Sequence, residues 1–364
     1  MLRFPVTLLT FLLLVAPSMA QSIPMTPERW AVEGEASFIT HRGVEALQIT
    51  NANATLKDIT FSDGTITFDV DLGGAGPFVG LHFRADGLTE TEYVYLRGNA
   101  IGSPKSFNAV QYAPLLDGVN LWDLLHHLQG PAPLTGDGWN QVKLVIHGQR
   151  LRVYVNDMTT PVLEVPELLG RRSEGALTFI GRATFANVTV QPGAVEDLPA
   201  TAAYDPTAHD AHFVRAWQVT SPIALPKGRE LTDDDFPTAE TPMQALNAER
   251  GGLVNLTRAF GASNERRYVW LKTTITAPEA RTQHVQLGFS DEVWVFVNGG
   301  LAYVDKNLWR QPIQKMPFGR LGLENGGFDL QLQEGDNEIL IGVANDFFGW
   351  GLMMRIDQVR GLMF

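Results

Sequence analysis

The sequence contains no cysteine, so disulfide bonds, thiol nucleophiles and thiolate metal ligands are all excluded. It also has no cluster of basic residues. Its 28 lysines and arginines stand against 40 aspartates and glutamates, which gives a formal net charge of −12. A nucleic-acid partner requires a positive surface for the phosphate groups, and this composition does not supply one. We therefore expect no nucleic-acid partner.

Several sequence motifs of enzymes are missing as well. There is no G-x-S-x-G turn, no phosphate-binding loop and no dinucleotide-binding glycine pattern. A glycosidase built on a jelly roll would carry two or three carboxylates alternating along one strand, and no Glu-x-Asp-x-x-Glu run occurs. Alternation places Glu92 and Asp123 on the side opposite the neighbouring Tyr and Trp side chains. A standard two-carboxylate hydrolase is therefore not expected.

The one long hydrophobic run lies at the N-terminus. Residues 1–20 begin with a short positive segment, continue through an apolar run from Phe4 to Ala16 and end in Ser18-Met19-Ala20. This order is typical of a secretory signal peptide cleaved after Ala20. The apolar run is shorter than the roughly 20 residues that a membrane-spanning helix needs. We predict a secreted or periplasmic bacterial protein without a membrane span, stabilised by core burial because it has no disulfide.

What the sequence does contain is a long series of short alternating segments. Its 364 residues include 35 glycines and 21 prolines, which favours many short strands separated by turns. In Gly64–Asp71, for example, Ile66, Phe68 and Val70 would share the buried face of a strand. The series predicts an all-β fold with two β-sandwich (jelly-roll) domains in tandem. The expected parts are a signal peptide (1–20), a first sandwich (21–192), a linker (193–212) and a second sandwich (213–364).

The densest group of large polar and aromatic side chains lies in the first predicted sandwich. Alternate side chains of a strand point to the same face, so Tyr93, Tyr95 and Arg97 would lie together. The same rule groups Asn120 with Trp122. Aromatic rings stack on the apolar faces of sugars, and planar polar groups bind sugar hydroxyls, so this surface would suit a carbohydrate. The alternative is that these rings merely fill the sandwich core.

The first sandwich resembles a known fold family. The resemblance lies in the segments GTITFDVDL, GLHFRA, WNQVKLVIHGQRLRVYVND and FANVTV. These are similar to concanavalin A-like, laminin-G-type jelly rolls and, more closely, to bacterial domains of the 3-keto-disaccharide hydrolase type. The resemblance implies a ligand site on the concave sheet. Alternation then gives the candidate ligand-binding residues: Tyr93, Tyr95, Arg97, Asn108, Gln111, Tyr112, Asn120 and Trp122. Gln111 has the opposite parity to Asn108 and Tyr112, so a bulge would be needed to bring all three to one face.

The second sandwich resembles another jelly roll. The segments SDEVWVFVNGG, LQEGDNEILIGVAND and FGWGLMMRI are similar to galactose-binding-like domains attached to β-galactosidases and other carbohydrate-active enzymes. Polar and aromatic residues near its strand ends are lower-ranked binding candidates: Asp291, Trp309, Asn345 and Trp350. Both resemblances permit a structural calcium ion, although neither domain has an acid-rich loop distinct enough to identify its ligands. His209 and His212 lack further ligands in the sequence, so no metal site is predicted.

Three functions remain open. We prefer a secreted carbohydrate-binding protein, because aromatic and amide groups are plentiful and acid pairs are not. The resemblance to the hydrolases implies the second, a sugar hydrolase or lyase of 3-keto-disaccharide type. Eliminative cleavage of a ketosugar needs one base and an anion-stabilising group, for which the catalytic candidates are His82 and Arg84 or Arg97. The third is a structural or adhesive pair of modules without a small ligand. No cofactor is expected, and the oligomeric state is not predicted.

Overall fold

The computed structural model describes residues 21–364, so the predicted signal peptide lies outside the described residues. Strands and loops make up nearly all of this part of the chain. The fifteen strands of the first sandwich are β1 (Gln21–Ile23), β2 (Trp30–His41), β3 (Val44–Leu56), β4 (Gly64–Asp71), β5 (Val79–Asp86), β6 (Glu90–Leu96), β7 (Val110–Tyr112), β8 (Leu115–Leu116), β9 (Val119–Asn120), β10 (Gln129–Gly130), β11 (Trp139–His147), β12 (Arg150–Val155), β13 (Leu163–Val165), β14 (Ala176–Ile180) and β15 (Ala183–Pro192).

These fifteen strands form one antiparallel sheet that curls on itself. Its continuous order is β10-β7-β6-β5-β14-β3-β15-β4-β11-β12-β13, and β1, β2, β8 and β9 pair beside this path. Alternation along β4 buries Ile66, Phe68 and Val70, as predicted. Phe179 and Phe185 stack beneath them with ring centroids 4.3 Å apart. The curled sheet thus encloses a core of aromatic and branched aliphatic side chains, which suit a pleated surface.

The second sandwich contains the remaining strands and one short helix. They are β16 (Ala216–Thr220), β17 (Ile223–Ala224), β18 (Met243–Asn247), β19 (Val254–Asn255), α1 (Leu256–Phe260), β20 (Arg267–Ala277), β21 (Arg281–Ser290), β22 (Glu292–Val297), β23 (Gly300–Lys306), β24 (Gly326–Leu332), β25 (Gly335–Asn345) and β26 (Gly351–Ile356). Single 3₁₀ turns lie at Gly98–Ala100, Asp233–Asp235, Arg250–Gly252 and Leu323–Asn325.

The second sandwich is built from two sheets that share a core. A seven-stranded sheet has the order β18-β16-β20-β25-β22-β23 with β17 beside β20, and a four-stranded sheet has the order β19-β26-β21-β24. Side chains from both sheets meet between them, among them Leu271, Phe289 and Ile341. Asn298 and Gly299 connect β22 to β23 with φ angles of 50° and 80°, a conformation that Asn and Gly tolerate best.

The predicted all-β fold class is confirmed, with the curled antiparallel sheets typical of β-sandwich jelly rolls. The strands of the first sheet lie within residues 21–192 and those of the other two within 216–356. The exact domain boundaries stay a prediction. Among the described residues, the helical segments are too short to cross a membrane.

The two sandwiches contact each other through loops. The Leu321 amide donates to the Asp123 main-chain carbonyl at 2.9 Å, and the Gly349 amide lies 3.2 and 3.1 Å from the two Asp123 carboxylate oxygens. A Cβ atom at Gly349 would lie 2.5 Å from one of those oxygens, so only glycine allows this close approach. On the same junction, Arg258 donates to the Leu169 carbonyl at 2.7 Å. These bonds fix the loops that surround the candidate site.

Candidate functional site

A cavity of about 300 Å³ lies where the two sandwiches meet, and we call it the junction cavity. Its lining from the first sandwich consists of Phe78, Tyr93, Tyr95, Arg97, Asn120, Trp122 and Ile180. Its lining from the second sandwich consists of Trp309, Arg320 and Phe348. Five of the eight candidate ligand-binding residues therefore line one cavity.

Two of the lining rings, those of Tyr93 and Tyr95, belong to a stack of three rings whose third member, His82, lies outside the lining. The β5–β6 register places His82 opposite Tyr93, and their rings are parallel, with centroids 4.0 Å apart. Tyr93 in turn stacks on Tyr95, two residues further along the same face, at 4.8 Å. Phe78 meets the Tyr95 ring edge-on at 5.5 Å. The tyrosine rings are thus held rigidly by neighbours on both sides.

A second aromatic group joins the two sandwiches. Trp122 contacts Trp309 edge-on, with ring centroids 5.4 Å apart, and contacts Phe348 at 5.9 Å. Trp309 also stacks on Phe347 at 5.2 Å. Trp122 does not lie in a strand as alternation predicted, because the strand ends at Asn120 and a turn follows at residues 122–124. The Asn120 side chain accepts a hydrogen bond from the Trp122 amide at 3.0 Å and so fixes that turn.

Gln111 is the hydrogen-bonding centre beneath the lining. Its Oε1 accepts from the Tyr95 hydroxyl at 2.7 Å and from Arg97 Nη2, and its Nε2 donates to the Trp122 carbonyl at 2.9 Å. Gln111 itself is fully buried and does not line the cavity. Its role is therefore to position three lining residues rather than to contact a ligand, because every polar group of its amide is already engaged.

Besides Gln111, two further candidates among the eight, Asn108 and Tyr112, do not line the cavity. The β6–β7 register pairs Tyr95 with Gln111, so Tyr112 points to the opposite face of the sheet. There its hydroxyl donates to Glu92 at 2.5 Å and accepts from the Leu169 amide at 2.6 Å. Asn108 precedes β7 in a turn and accepts from the Ser106 hydroxyl at 3.1 Å. β7 pairs with β6 without the bulge that would bring Tyr112 and Gln111 to one face.

The candidate catalytic residues do not line the junction cavity either. His82 is buried under Tyr93, its Nδ1 has no hydrogen-bond partner within residues 21–364, and burial lowers its pKa to about 3. Arg84 lies at a bulge of β5 and forms an ion pair with Asp63 at 2.7 Å. Its Nε donates to the Ser62 carbonyl at 2.9 Å. His82 and Arg84 are therefore placed as internal structural residues.

The four candidates of the second sandwich lie in different surroundings. Trp309 lines both the junction cavity and a neighbouring cavity of about 570 Å³, which Asp291 also lines. The Asp291 carboxylate accepts from the amides of residues 346 and 347 at 2.7 and 2.8 Å. Asn345 donates to the Phe348 carbonyl at 3.3 Å. Trp350 is fully buried in the core of the second sandwich and lines neither cavity.

Two arginines complete the polar lining. Arg97 lies over the rings of Phe78 and Tyr95, at 5.2 and 5.1 Å from their centroids. Arg320 lies over Trp122 at 5.0 Å. Each guanidinium thus has an aromatic face beneath it, an arrangement in which cation–π attraction offsets part of the cost of burial.

Arg320 and Phe348 line the cavity but are not among the residues predicted from the sequence. The sequence also did not predict that Trp309 lies against the first sandwich. No period in the sequence links residues of one sandwich to those of another. The only local signal was the paired Phe347 and Phe348 ahead of Gly349, because adjacent aromatic residues in a loop are typical of a contact surface.

The predicted lack of a metal site and the permitted calcium ion remain predictions. Within residues 21–364, no three His, Asp or Glu side chains are grouped so as to hold an ion. His212 Nδ1 instead lies 2.5 Å from Asp210 Oδ1, in a local pair.

No family model and no curated protein matches the chain. Among solved structures, the carbohydrate-binding module CBM66 from Bacillus subtilis is 17% identical, over 44% of this chain and 94% of that one, with a TM-score of 0.34. Domain 4 of AbnA, a GH43 extracellular arabinanase from Geobacillus stearothermophilus, is 9% identical, over 49% and 83%, with a TM-score of 0.30. An anti-sigma factor domain-containing protein is 10% identical, over 95% and 88%, with a TM-score of 0.26.

Proposed function

We propose that the protein binds a carbohydrate in the junction cavity, and that the second sandwich completes a site whose main surface is the sheet of the first. The observation that supports this is the meeting of tyrosine and tryptophan rings with amide and guanidinium groups in one concave site. The predicted export of the chain is part of the proposal, since it would place the site among extracellular or periplasmic glycans.

The chemistry of the lining fits a sugar. The Trp122 ring offers an apolar surface for the C–H groups of a pyranose ring, and Asn120 and Arg97 offer hydrogen-bonding groups for hydroxyls. The volume of about 300 Å³ is at the lower end of ligand pockets, ~300–1,000 Å³. The cavity therefore fits one sugar residue, such as a chain end or a branch, better than an extended chain.

The site is also organised before a ligand arrives. Gln111 fixes Tyr95, Arg97 and the Trp122 main chain, so binding would immobilise few additional side chains. A preorganised site keeps more of its contact energy as affinity, because less is lost to ordering.

Catalysis receives less support than binding. The described residues that line the junction cavity include no histidine and no carboxylate, and His82 is shielded by Tyr93. The base that an eliminating hydrolase or lyase needs is thus not exposed to a sugar in this cavity.

The proposal is tested by replacing the central ring. Screening the purified protein on a polysaccharide and glycan array, followed by calorimetric titration, identifies a ligand and its affinity. We expect Trp122→Ala to weaken binding at least tenfold, about 1.4 kcal/mol, because a stacking face is lost. Trp122→Phe, which retains a ring, should lose less.

The matched control is Tyr204→Ala, which removes an exposed aromatic ring outside the cavity. It should bind as the unaltered protein does. Equal affinity of Trp122→Ala would place the ligand elsewhere. Lack of binding to every carbohydrate tested would favour the structural or adhesive function instead.

A further inference from the structure

Two arginines from different sandwiches are buried in the wall of the junction cavity. Arg97 follows β6 and is 7% exposed, whereas Arg320 lies in the loop before β24 and is 5% exposed. Burial lowers the pKa of Arg320, and Arg97 lies close enough that its positive charge lowers that pKa further. Two like charges in a poorly solvated site are unfavourable unless an anion compensates them.

Within residues 21–364, neither guanidinium forms an ion pair with a carboxylate. Arg97 donates to the neutral Tyr95 hydroxyl at 3.1 Å and to the Gln111 amide, and Arg320 donates to the Pro317 carbonyl at 3.4 Å. The Nε atoms of both arginines have no partner. The buried Arg266, by contrast, is paired with Glu292 at 2.6 Å.

The acidic group that acts on Arg320 is Asp123, and it is poorly suited to compensate two cations. Its carboxylate faces the Gly349 amide at 3.1 and 3.2 Å. Burial raises its pKa to about 7, so near neutral pH it carries only part of a negative charge. The lining of the cavity therefore keeps an excess of positive charge although the whole chain carries a net charge of −12.

We propose that the sugar bound in the junction cavity is a uronic acid residue, whose single carboxylate is held by Arg97 and Arg320. This rests on the proposed carbohydrate-binding function and names its ligand class. A guanidinium presents parallel N–H donors that match a planar carboxylate. One carboxylate also agrees with the size of the cavity, whereas the net charge of −12 would repel a densely sulfated polyanion.

The test compares ligands that differ only at C6. Methyl glycosides of glucose, glucuronic acid and glucuronamide, and the corresponding galactose series, are titrated into the protein by calorimetry at low and high sodium chloride. We expect at least one acid to bind tenfold or more tightly than both its neutral alcohol and its amide. Added salt should reduce this difference, because the extra contact is between charges.

Variants connect the preference to the arginines. Arg320→Met removes one charge at similar volume. It should bring the affinities for acid and amide within about threefold of each other, so that most of the tenfold preference for the acid is lost. The control is Arg360→Met, which removes an exposed charge outside the cavity lining and should retain the preference. Thermal unfolding of each variant verifies that it is folded.

Each outcome separates the two proposals. If neutral sugars bind as tightly as their acids, the uronic acid inference is overturned and carbohydrate binding stands. If glucose 6-sulfate binds more tightly than glucuronate, the ligand is a sulfated sugar and the carboxylate assignment fails. If no sugar of either kind binds, both proposals are overturned. The comparison of acid with amide uses the unaltered protein, so it holds even if Arg320→Met does not fold.

Discussion

Two groups of buried charges in this molecule are organised in opposite ways. In the second sandwich, Arg266 and Glu292 form a buried pair at 2.6 Å, and Lys306 lies 2.8 Å from the other Glu292 oxygen. At the junction cavity, Arg97 and Arg320 lie close enough for their positive charges to repel each other. Neither has a carboxylate partner among the described residues. The first arrangement satisfies its charges within the protein, and the second leaves them without a counter-charge from the described residues.

The difference shows which buried charges lower the stability of the folded protein. A buried pair is stable only while both partners are present, since either alone is an uncompensated charge. An unpaired buried arginine already bears that cost, so its removal should relieve rather than weaken the fold. The same substitution type, charge to neutral, should therefore have opposite effects in the two regions.

The largest effect is expected when the paired group is broken. Glu292→Gln leaves Arg266 buried without its counter-charge, and the free energy of unfolding should fall by about 3–5 kcal/mol. Urea denaturation measures this change. The control, Glu338→Gln, disrupts an exposed pair with Lys272 and should cost about 1 kcal/mol or less. Equal losses in the two variants would mean that burial does not distinguish these pairs.

A second effect concerns pH, through Asp123, the acid whose charge acts on Arg320. The folded-state pKa of Asp123, raised by burial to about 7, lies above its ordinary value of 3.8. Between these values the folded state holds more protons than the unfolded state. The stabilising contribution is therefore complete below about pH 4 and is lost as the pH rises through about 7.

Asp123→Asn should accordingly flatten the fall in unfolding free energy between pH 4 and 7, by at most about 1.4 kcal/mol per pH unit. An asparagine oxygen still accepts from the Gly349 amide, so the loop contact is retained. Asp157→Asn serves as the control, because hydrogen bonds from Thr159 lower the pKa of Asp157 to about 2, outside this interval. An unchanged slope in Asp123→Asn would show that another group titrates.

Strand alternation predicted one half of the candidate site well. Tyr93 and Tyr95 share a face because β6 is a regular strand paired on both sides, where the two-residue period holds. The same rule holds in β7, where Gln111 takes that face and Tyr112 takes the other, because no bulge interrupts the pairing with β6. Asn120 and Trp122 reach the cavity through a turn, so alternation grouped them correctly for the wrong reason.

The other half of the site could not be predicted from local patterns. Arg320 and Phe348 approach Trp122 only because loops of the second sandwich dock on the first, and that contact joins residues about two hundred positions apart. Gly349 is a sign of this docking that the sequence did show, but a glycine in a loop has many other uses. Loop contacts of this kind depend on the relative placement of two folded units, which periodicity does not encode.

The smallest effect is expected from removing an unpaired charge. Arg320→Met, measured at pH 5 where burial keeps Asp123 protonated, should leave the free energy of unfolding unchanged or raise it by up to about 1 kcal/mol. The reason is that repulsion from Arg97 and the cost of burying the guanidinium both disappear, while the hydrogen bond lost to Pro317 is a long one of 3.4 Å. The control Arg360→Met, at an exposed position, should change the free energy of unfolding by less than about 0.5 kcal/mol. A loss of more than about 1 kcal/mol in Arg320→Met would show that the protein itself compensates this arginine, and the contrast between paired structural charges and unpaired binding charges would then fail.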